Sequence, residues 1–218
     1  VGTVSADSIV MKDGKILGDD LTIKSTKDIQ QSGGQISATK ATLDAGQMLN
    51  QTAGSAIAKD TVAKAGIETK LIQVGGKNIH GCRGCWACTK KKDGKCVFDD
   101  DILNEILPEV FSADALILGT PSYFSDMTPE LKAFIDRAGV VAGSIGNPFK
   151  HKIGAAVVAQ RRGGGPAIQA TIHHMFLMRE MIIPGSLYWN FGIGRDKGDV
   201  QTDEEAKHNM ENLGENIV

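Results

Sequence analysis

No cysteine lies outside residues 82–96 of this chain. A disulfide framework scatters its cysteines to staple distant loops, so that class of small secreted fold is excluded. No apolar run approaches the ~20 residues of a membrane-spanning helix, and no membrane partner is expected. The formal net charge is only -2, which leaves no general attraction to nucleic acid or to an anionic bilayer. The first residues, VGTVSADSIVMKDGK, lack a basic start followed by an apolar core, so no signal peptide is read there. The 218 residues, 41% hydrophobic and 23% charged, suit one globular domain of ordinary size, or one with an appendage.

The chemistry is concentrated in NIHGCRGCWACTKKKDGKCVF (78–98), which holds Cys82, Cys85, Cys88 and Cys96 in the spacing C-x2-C-x2-C-x7-C. Three thiolates at successive short steps can wrap one face of a small inorganic core, and the fourth arrives after a loop. Cubane iron–sulfur clusters are held in this way, so a [4Fe-4S] cluster is the expected occupant. Zinc sites more often show two separated pairs, because two knuckles approach a tetrahedral ion from different sides. Zinc and redox-active free thiols remain the alternatives. Lys90, Lys91 and Lys92 sit between the third and fourth cysteines and are expected in solvent, where their charge favours a reduced cluster.

The N-terminal quarter has a different texture. Residues 1–57 repeat with a period of 20: Ile9, Ile29 and Leu49 fall in register, as do Gly14, Gly34 and Gly54. Thr22 aligns with Thr42, Ile23 with Leu43, Gln31 with Gln51 and Ser32 with Thr52. Short strands with a glycine at each bend suit a right-handed β-solenoid whose coils bury one another. A flexible polar leader is the alternative.

From residue 58 the pattern is α/β. Ala58–Gly66 reads as the end of a helix with a glycine stop, and Ile67–Val74 as a strand. Asp99, Asp100 and Asp101 open a helix whose positive end they complement; Ile102, Ile106, Leu107, Val110 and Phe111 form its apolar face. Ala113–Gly119 is a nearly all-apolar strand. Thr128–Pro129–Glu130 is an N-cap, a first-turn proline and an early acid, starting a helix that stops at Gly139. Lys152–Gln160 is a buried strand, 161–166 a turn and Ala167–Arg179 a helix. Met181–Tyr188 is a last strand and Asp203–Asn216 a polar helix. Alternating strands and helices predict a parallel sheet covered on both faces. Ligands then sit at the carboxyl ends of the strands, where loops 75–98, 120–128 and 161–166 emerge. That geometry predicts the cysteines beside whatever the other two loops bind.

From about residue 58 to the end, the chain resembles the iron–sulfur flavoproteins, flavodoxin-like members of the NAD(P)H-dependent FMN reductase superfamily. The resemblance is carried by the four cysteines, by GTPSYFSDMTPELKAFIDRAG (119–139), by KIGAAVVAQRRGGGP (152–166) and by PGSLYWNFGIGRD (184–196). It implies a flavodoxin-like domain over 58–218 and FMN as cofactor beside the cluster. The flavin would be held by Thr120, Pro121, Ser122, Tyr123 and Phe124, with Gly163 and Gly164 letting the chain pass close to it. The alternatives are a core anchor for Tyr123 and Phe124 and a mobile turn for the glycines. It further implies NAD(P)H or a ferredoxin as electron donor, a homo-oligomer whose subunit contacts bring flavin and cluster close, and a reducing cytoplasm. Arg161 and Arg162 are expected in solvent. Of His173 and His174, one is expected to face the core.

Residues 1–57 resemble instead the repeats of filamentous-haemagglutinin-type adhesins, over DDLTIKSTKDIQQSGGQISATKATLDAGQMLNQTAG. They stand where the flavoprotein family has an apolar first strand and a hydroxyl-rich loop that cradles the FMN phosphate at a helix N-terminus. The nearest imitation of that loop is Ser37–Thr42, ahead of a possible helix from Asp44. The simplest account is a chimera in which a β-repeat replaces the first βα unit. A non-catalytic fragment that no longer holds FMN, or a zinc-stabilised binding module, is the competing expectation.

Overall fold

The computed structural model describes residues 2–12, 15–32, 35–45, 67–196 and 198–218, the first three stretches as backbone. The helix expected to end at Gly66 lies outside the described residues. Two compact units divide the chain: Val1–Gln51 with Asp196–Asp199, and Thr52–Arg195 with Val200–Val218.

In the first unit, β1 (Gly2–Lys12), β2 (Lys15–Ser32) and β3 (Gln35–Ala45) form one parallel sheet in that order. Ile16 lies opposite Ile36, Thr22 opposite Thr42 and Ile23 opposite Leu43. The β2–β3 register offset therefore equals the repeat period read in the sequence, as stacked coils require. Between β1 and β2 the register shifts between Ala6 and Ser8, and beyond it Ile9 lies opposite Ile29. Ser37 and Thr42 sit inside β3, opposite Leu17 and Thr22. This corrects the idea that Ser37–Thr42 is a phosphate loop ahead of a helix from Asp44. An anion loop needs N–H groups converging at a helix start, and here the backbone is committed to a ladder.

The second unit contains α1 (Ala87–Lys91), α2 (Leu103–Ser112), β4 (Ala115–Pro121), α3 (Pro129–Ser144), β5 (Ile153–Gln160), α4 (Gly165–Met178), β6 (Phe191–Ile193) and α5 (Glu204–Ile217). Strands β4, β5 and β6 are parallel and adjacent in that order. Side chains on a strand alternate between faces, and β5 shows both. Ala156 and Val158 join the core made with Leu107, Phe134, Ile172 and Phe176 of α2, α3 and α4. Ala155 and Val157 pack on Met210, Leu213 and Ile217 of α5. This is the flavodoxin-like plan, a parallel sheet with helices on both faces.

Three expected elements differ. Residues 67–74 form no strand. A strand exists through its ladder, and in flavodoxin-like order the second strand pairs only with the first. Among the described residues no such first strand is present. The same gap shows at β4, where Leu116 and Ile117 are only half-buried while most of β5 is buried. Helix α3 continues past Gly139 to Ser144, because Val141 and Ala142 still face the core. The strand expected over Met181–Tyr188 reduces to one bridge from Ile182 to Ile153. The chain then leaves at Pro184–Gly185 and returns to β5 only at Phe191–Ile193.

Candidate functional site

All four cysteines are free thiols, and all four line one pocket of about 160 Å³. Its apolar walls are Val97, Phe98, Val140 and Val141, and Arg137 supplies its one deeply buried charge. Cys82 and Cys85 are exposed, Cys96 is half-buried and Cys88 is buried on the core. Gly84 and Trp86 take left-handed backbone angles of 62° and 57°, which curl the segment from Cys82 to Cys88 before α1 begins. Curled backbone of this kind turns N–H groups inward, a recurrent feature of iron–sulfur sites. Arg83 lies 4.1 Å from the centre of the Phe98 ring, so the loop closes on its own far end.

The two ends of the loop are tied from below. Arg137 donates through Nη1 to the His80 carbonyl at 3.1 Å and through Nη2 to the Phe98 carbonyl at 3.0 Å. Nη1 also donates to the Asp101 carboxylate. That carboxylate accepts the backbone N–H of His80 at 2.8 Å and of Leu103, the first residue of α2, at 3.1 Å. Burial alone would raise the Asp101 pKa; the His80 N–H and the Arg137 guanidinium outweigh it and hold the carboxyl below its ordinary range. Burial would lower the Arg137 pKa, and the hydrogen bond and charge of Asp101, with Cys96 nearby, raise it instead. Asn104 fixes Cys96 itself, accepting its N–H at 2.8 Å and donating to its carbonyl at 2.9 Å.

Sequence reasoning passed over Arg137, Asp101 and Asn104 as site residues. A signal for Arg137 existed: it stands three residues after Phe134 and four before Val141, on the apolar stripe of α3.

The proposed flavin residues gather at the ends of β4 and β5. Pro121 is paired with Ala159, and the Ser122 N–H donates to the Ala159 carbonyl at 2.7 Å. Ser122 Oγ donates to the Gly163 carbonyl at 2.9 Å, which joins the two loops. Gly164 has φ 98°, and a Cβ there would lie 2.4 Å from Ser122 Oγ and 3.0 Å from the Ser125 backbone. Thr120 is buried; its Oγ1 accepts the Thr128 N–H at 3.1 Å and donates to the Pro121 carbonyl at 2.9 Å. Thr128 Oγ1 in turn caps α3 by accepting from Leu131 at 3.3 Å, a bond worth about 1 kcal/mol.

Between these caps, Tyr123 and Asp126 exchange backbone bonds across a tight turn whose two central residues, Phe124 and Ser125, are left-handed. Phe124 is fully exposed and Tyr123 is 49% exposed. Neither anchors α3; Met127 and Leu131 do that.

The cysteine pocket is lined by none of Thr120–Phe124, Gly163 or Gly164. Arg137 lies nine residues beyond the Thr128 cap, about 14 Å along the helix at 1.5 Å per residue. The proposed flavin loops thus adjoin the start of α3, and the cysteine pocket takes in Arg137, Val140 and Val141 further along it. Lys90–Lys92, Arg161 and Arg162 are exposed, as expected. His173 is half-buried and His174 exposed; burial, then the neighbouring His174, lowers the His173 pKa.

Sheet, loops and cysteine pocket together define a flavodoxin-like α/β protein with a sulfur-donor site. The family model described as NADPH-dependent FMN reductase matches residues 47–196, and the chain belongs to that family. An iron–sulfur flavoprotein of Methanocaldococcus jannaschii is 35% identical over 168 residues, 74% of this chain and 84% of the relative. One from Archaeoglobus fulgidus is 31% identical over 172 residues, 73% of this chain and 83% of that one. Among solved structures, the Trp repressor binding protein from Bacillus subtilis has a TM-score of 0.54 at 17% identity, covering 92% of this chain and 98% of its own. RosB with a bound riboflavin-phosphate intermediate has a TM-score of 0.55 at 17% identity, covering 95% of this chain and 77% of its own. These two likenesses establish the fold.

Proposed function

We propose that the protein is a flavin-linked oxidoreductase or electron-transfer protein that carries FMN and a [4Fe-4S] cluster and takes electrons from NAD(P)H or a ferredoxin. The carrying observation is the set of four free thiols around one apolar pocket. The C-x2-C-x2-C-x7-C spacing favours a polynuclear core over zinc, whose ligands more often come as two separated pairs. Among the described residues, three donors that lie within 4.8 Å of one another are His80, Asp100 and Asp101. Asp101 is already engaged by Arg137 and two N–H groups, which argues against that trio as a metal site.

In this reading Cys82, Cys85, Cys88 and Cys96 hold the cluster, and Thr120–Phe124 with Gly163 and Gly164 hold the flavin ring. When bound, these groups supply one-electron and hydride chemistry that no side chain provides. The chain's own part is to orient them. Asn104 fixes Cys96, Ser122 holds the two flavin loops together, and Val97, Phe98, Val140 and Val141 form the apolar wall beside the thiols. The separation along α3 fits a homo-oligomer in which each flavin faces the cluster of a neighbour, and exposed free thiols fit a reducing cytoplasm.

A second reading has its own observation. The unpaired 67–74 segment and the strand over Ser37–Thr42 favour a chain that keeps the cluster and has lost FMN. Anaerobic purification with iron, sulfide and flavin assays separates the two. About one FMN per chain with iron and sulfide supports the first reading; iron and sulfide without flavin support the second; zinc alone refutes both.

A further inference from the structure

We propose that Arg137 tunes the sulfur centre, donating its Nε–H to a sulfur of the bound cluster and offsetting the cluster's negative charge. This rests on the reading that Cys82, Cys85, Cys88 and Cys96 hold an iron–sulfur cluster. Arg137 is 2% exposed, and its side chain lines the pocket shared by all four thiols. Its two terminal nitrogens are committed to His80, Phe98 and Asp101. Nε has no protein acceptor although it is fully buried. A buried N–H left unpaired on a charged group costs about 1–3 kcal/mol or more, and native proteins rarely carry one without a partner supplied from elsewhere. Cys96, one of the four thiols, lines the same pocket as Arg137.

The charge argument runs the same way. Each thiolate adds a negative charge to the cluster and reduction adds another. A cation beside the sulfurs favours the reduced form, and hydrogen bonds to the sulfurs do likewise. Asp101 sits on the same guanidinium and partly cancels its field. The two residues therefore pull the cluster potential in opposite directions, although both close the same loop.

That opposition gives the test. The wild-type protein and the variants Arg137→Gln, Arg137→Lys and Asp101→Asn are purified anaerobically. Iron and sulfide are counted, and the cluster's midpoint potential is measured by titration followed by electron paramagnetic resonance. Arg137→Gln is expected to shift the midpoint to lower potential and Asp101→Asn to higher potential. Arg137→Lys keeps the charge, loses the Nε–H and is expected to fall between Arg137→Gln and wild type; it also serves if Arg137→Gln takes up no cluster. A role in loop closure alone moves the Arg137 and Asp101 variants in the same direction, and that result overturns the proposal, as does an unchanged midpoint in both Arg137 variants. A wild-type protein without iron and sulfide overturns the cluster reading and this inference together; a loaded wild type with unmoved potentials overturns only the inference.

Discussion

Arg137 and Asp101 form an ion pair beneath the cysteine loop in which neither side chain reaches solvent appreciably, at 2% and 0% exposure. Between them they bind the backbone of His80 twice and of Phe98 once, so both ends of the segment that carries the cysteines are fixed before any metal arrives. Desolvating two charges offsets much of their attraction, so a buried pair contributes position more than stability. Here the position matters: the entropy of closing the loop is met by the fold.

The first prediction concerns that pair in the metal-free protein. Asp101→Ala leaves a buried guanidinium without its counter-charge and should cost about 3–5 kcal/mol. Arg137→Met combined with Asp101→Leu should cost clearly less than the sum of the two single changes. Urea denaturation of wild type, Arg137→Met, Asp101→Leu and the double variant forms a double-mutant cycle; additive costs would show that the two residues are not coupled.

The second concerns acid. The Asp101 carboxyl titrates below its ordinary range in the folded chain. A depressed pKa contributes stability that is fully present above the unfolded value of about 3.9 and is lost as pH falls through the lower folded value. The stability difference between wild type and Asp101→Asn should therefore be largest near neutrality and shrink on acidification below about pH 4. Urea midpoints of the metal-free proteins measured from neutral pH downward check this; a difference that grows in acid contradicts it.

Local signals were legible where local physics decides. The run from Ala115 to Gly119 became β4 because an apolar strand must be covered on both faces, and Thr128 became the cap of α3 because its Oγ1 accepts the Leu131 N–H. Ile67–Val74 has a strand's composition and no ladder, because pairing depends on a neighbour that its own residues do not encode. Gly139 carries a stop signal, overruled by the burial of Val141 and Ala142 one turn later. In the site, the thiols were legible from their spacing. For Arg137 the helical spacing from Phe134 and Val141 marks burial, but the loop it clamps is encoded elsewhere in the chain and shows only once the two are placed together.

The third prediction separates ligand from scaffold. Cys82 and Cys85 are exposed, whereas Cys88 is 8% exposed and packs in the core. Cys82→Ala and Cys85→Ala should abolish iron incorporation while changing the stability of the metal-free chain by no more than about 0.5 kcal/mol. Cys88→Ser should also abolish it and in addition cost about 1–3 kcal/mol, by placing a hydroxyl in an apolar site. Iron content with metal-free thermal denaturation gives both readouts; a full cluster in Cys82→Ala would remove that residue from the ligand set.

The fourth concerns the two glycines of the proposed flavin site, which differ sharply for neighbours in sequence. At Gly164 a methyl group would meet Ser122 Oγ at 2.4 Å and the Ser125 backbone at 3.0 Å, on a φ of 98° that an L side chain rarely adopts. At Gly163 a methyl group would meet nothing within 4 Å. Gly164→Ala must push the loop after β5 away from the loop after β4 and break the Ser122–Gly163 bond that joins them. Overpacking of this kind costs about 1–3 kcal/mol. Where flavin binding needs both loops in place, a cost of about 1.4 kcal/mol appears as a tenfold rise in Kd. Gly163→Ala should bind FMN as wild type does, and Gly164→Ala about tenfold or more weakly, in a titration that follows quenching of flavin fluorescence. If wild type binds FMN and Gly164→Ala binds it equally well, the apposed loops do not form the flavin site.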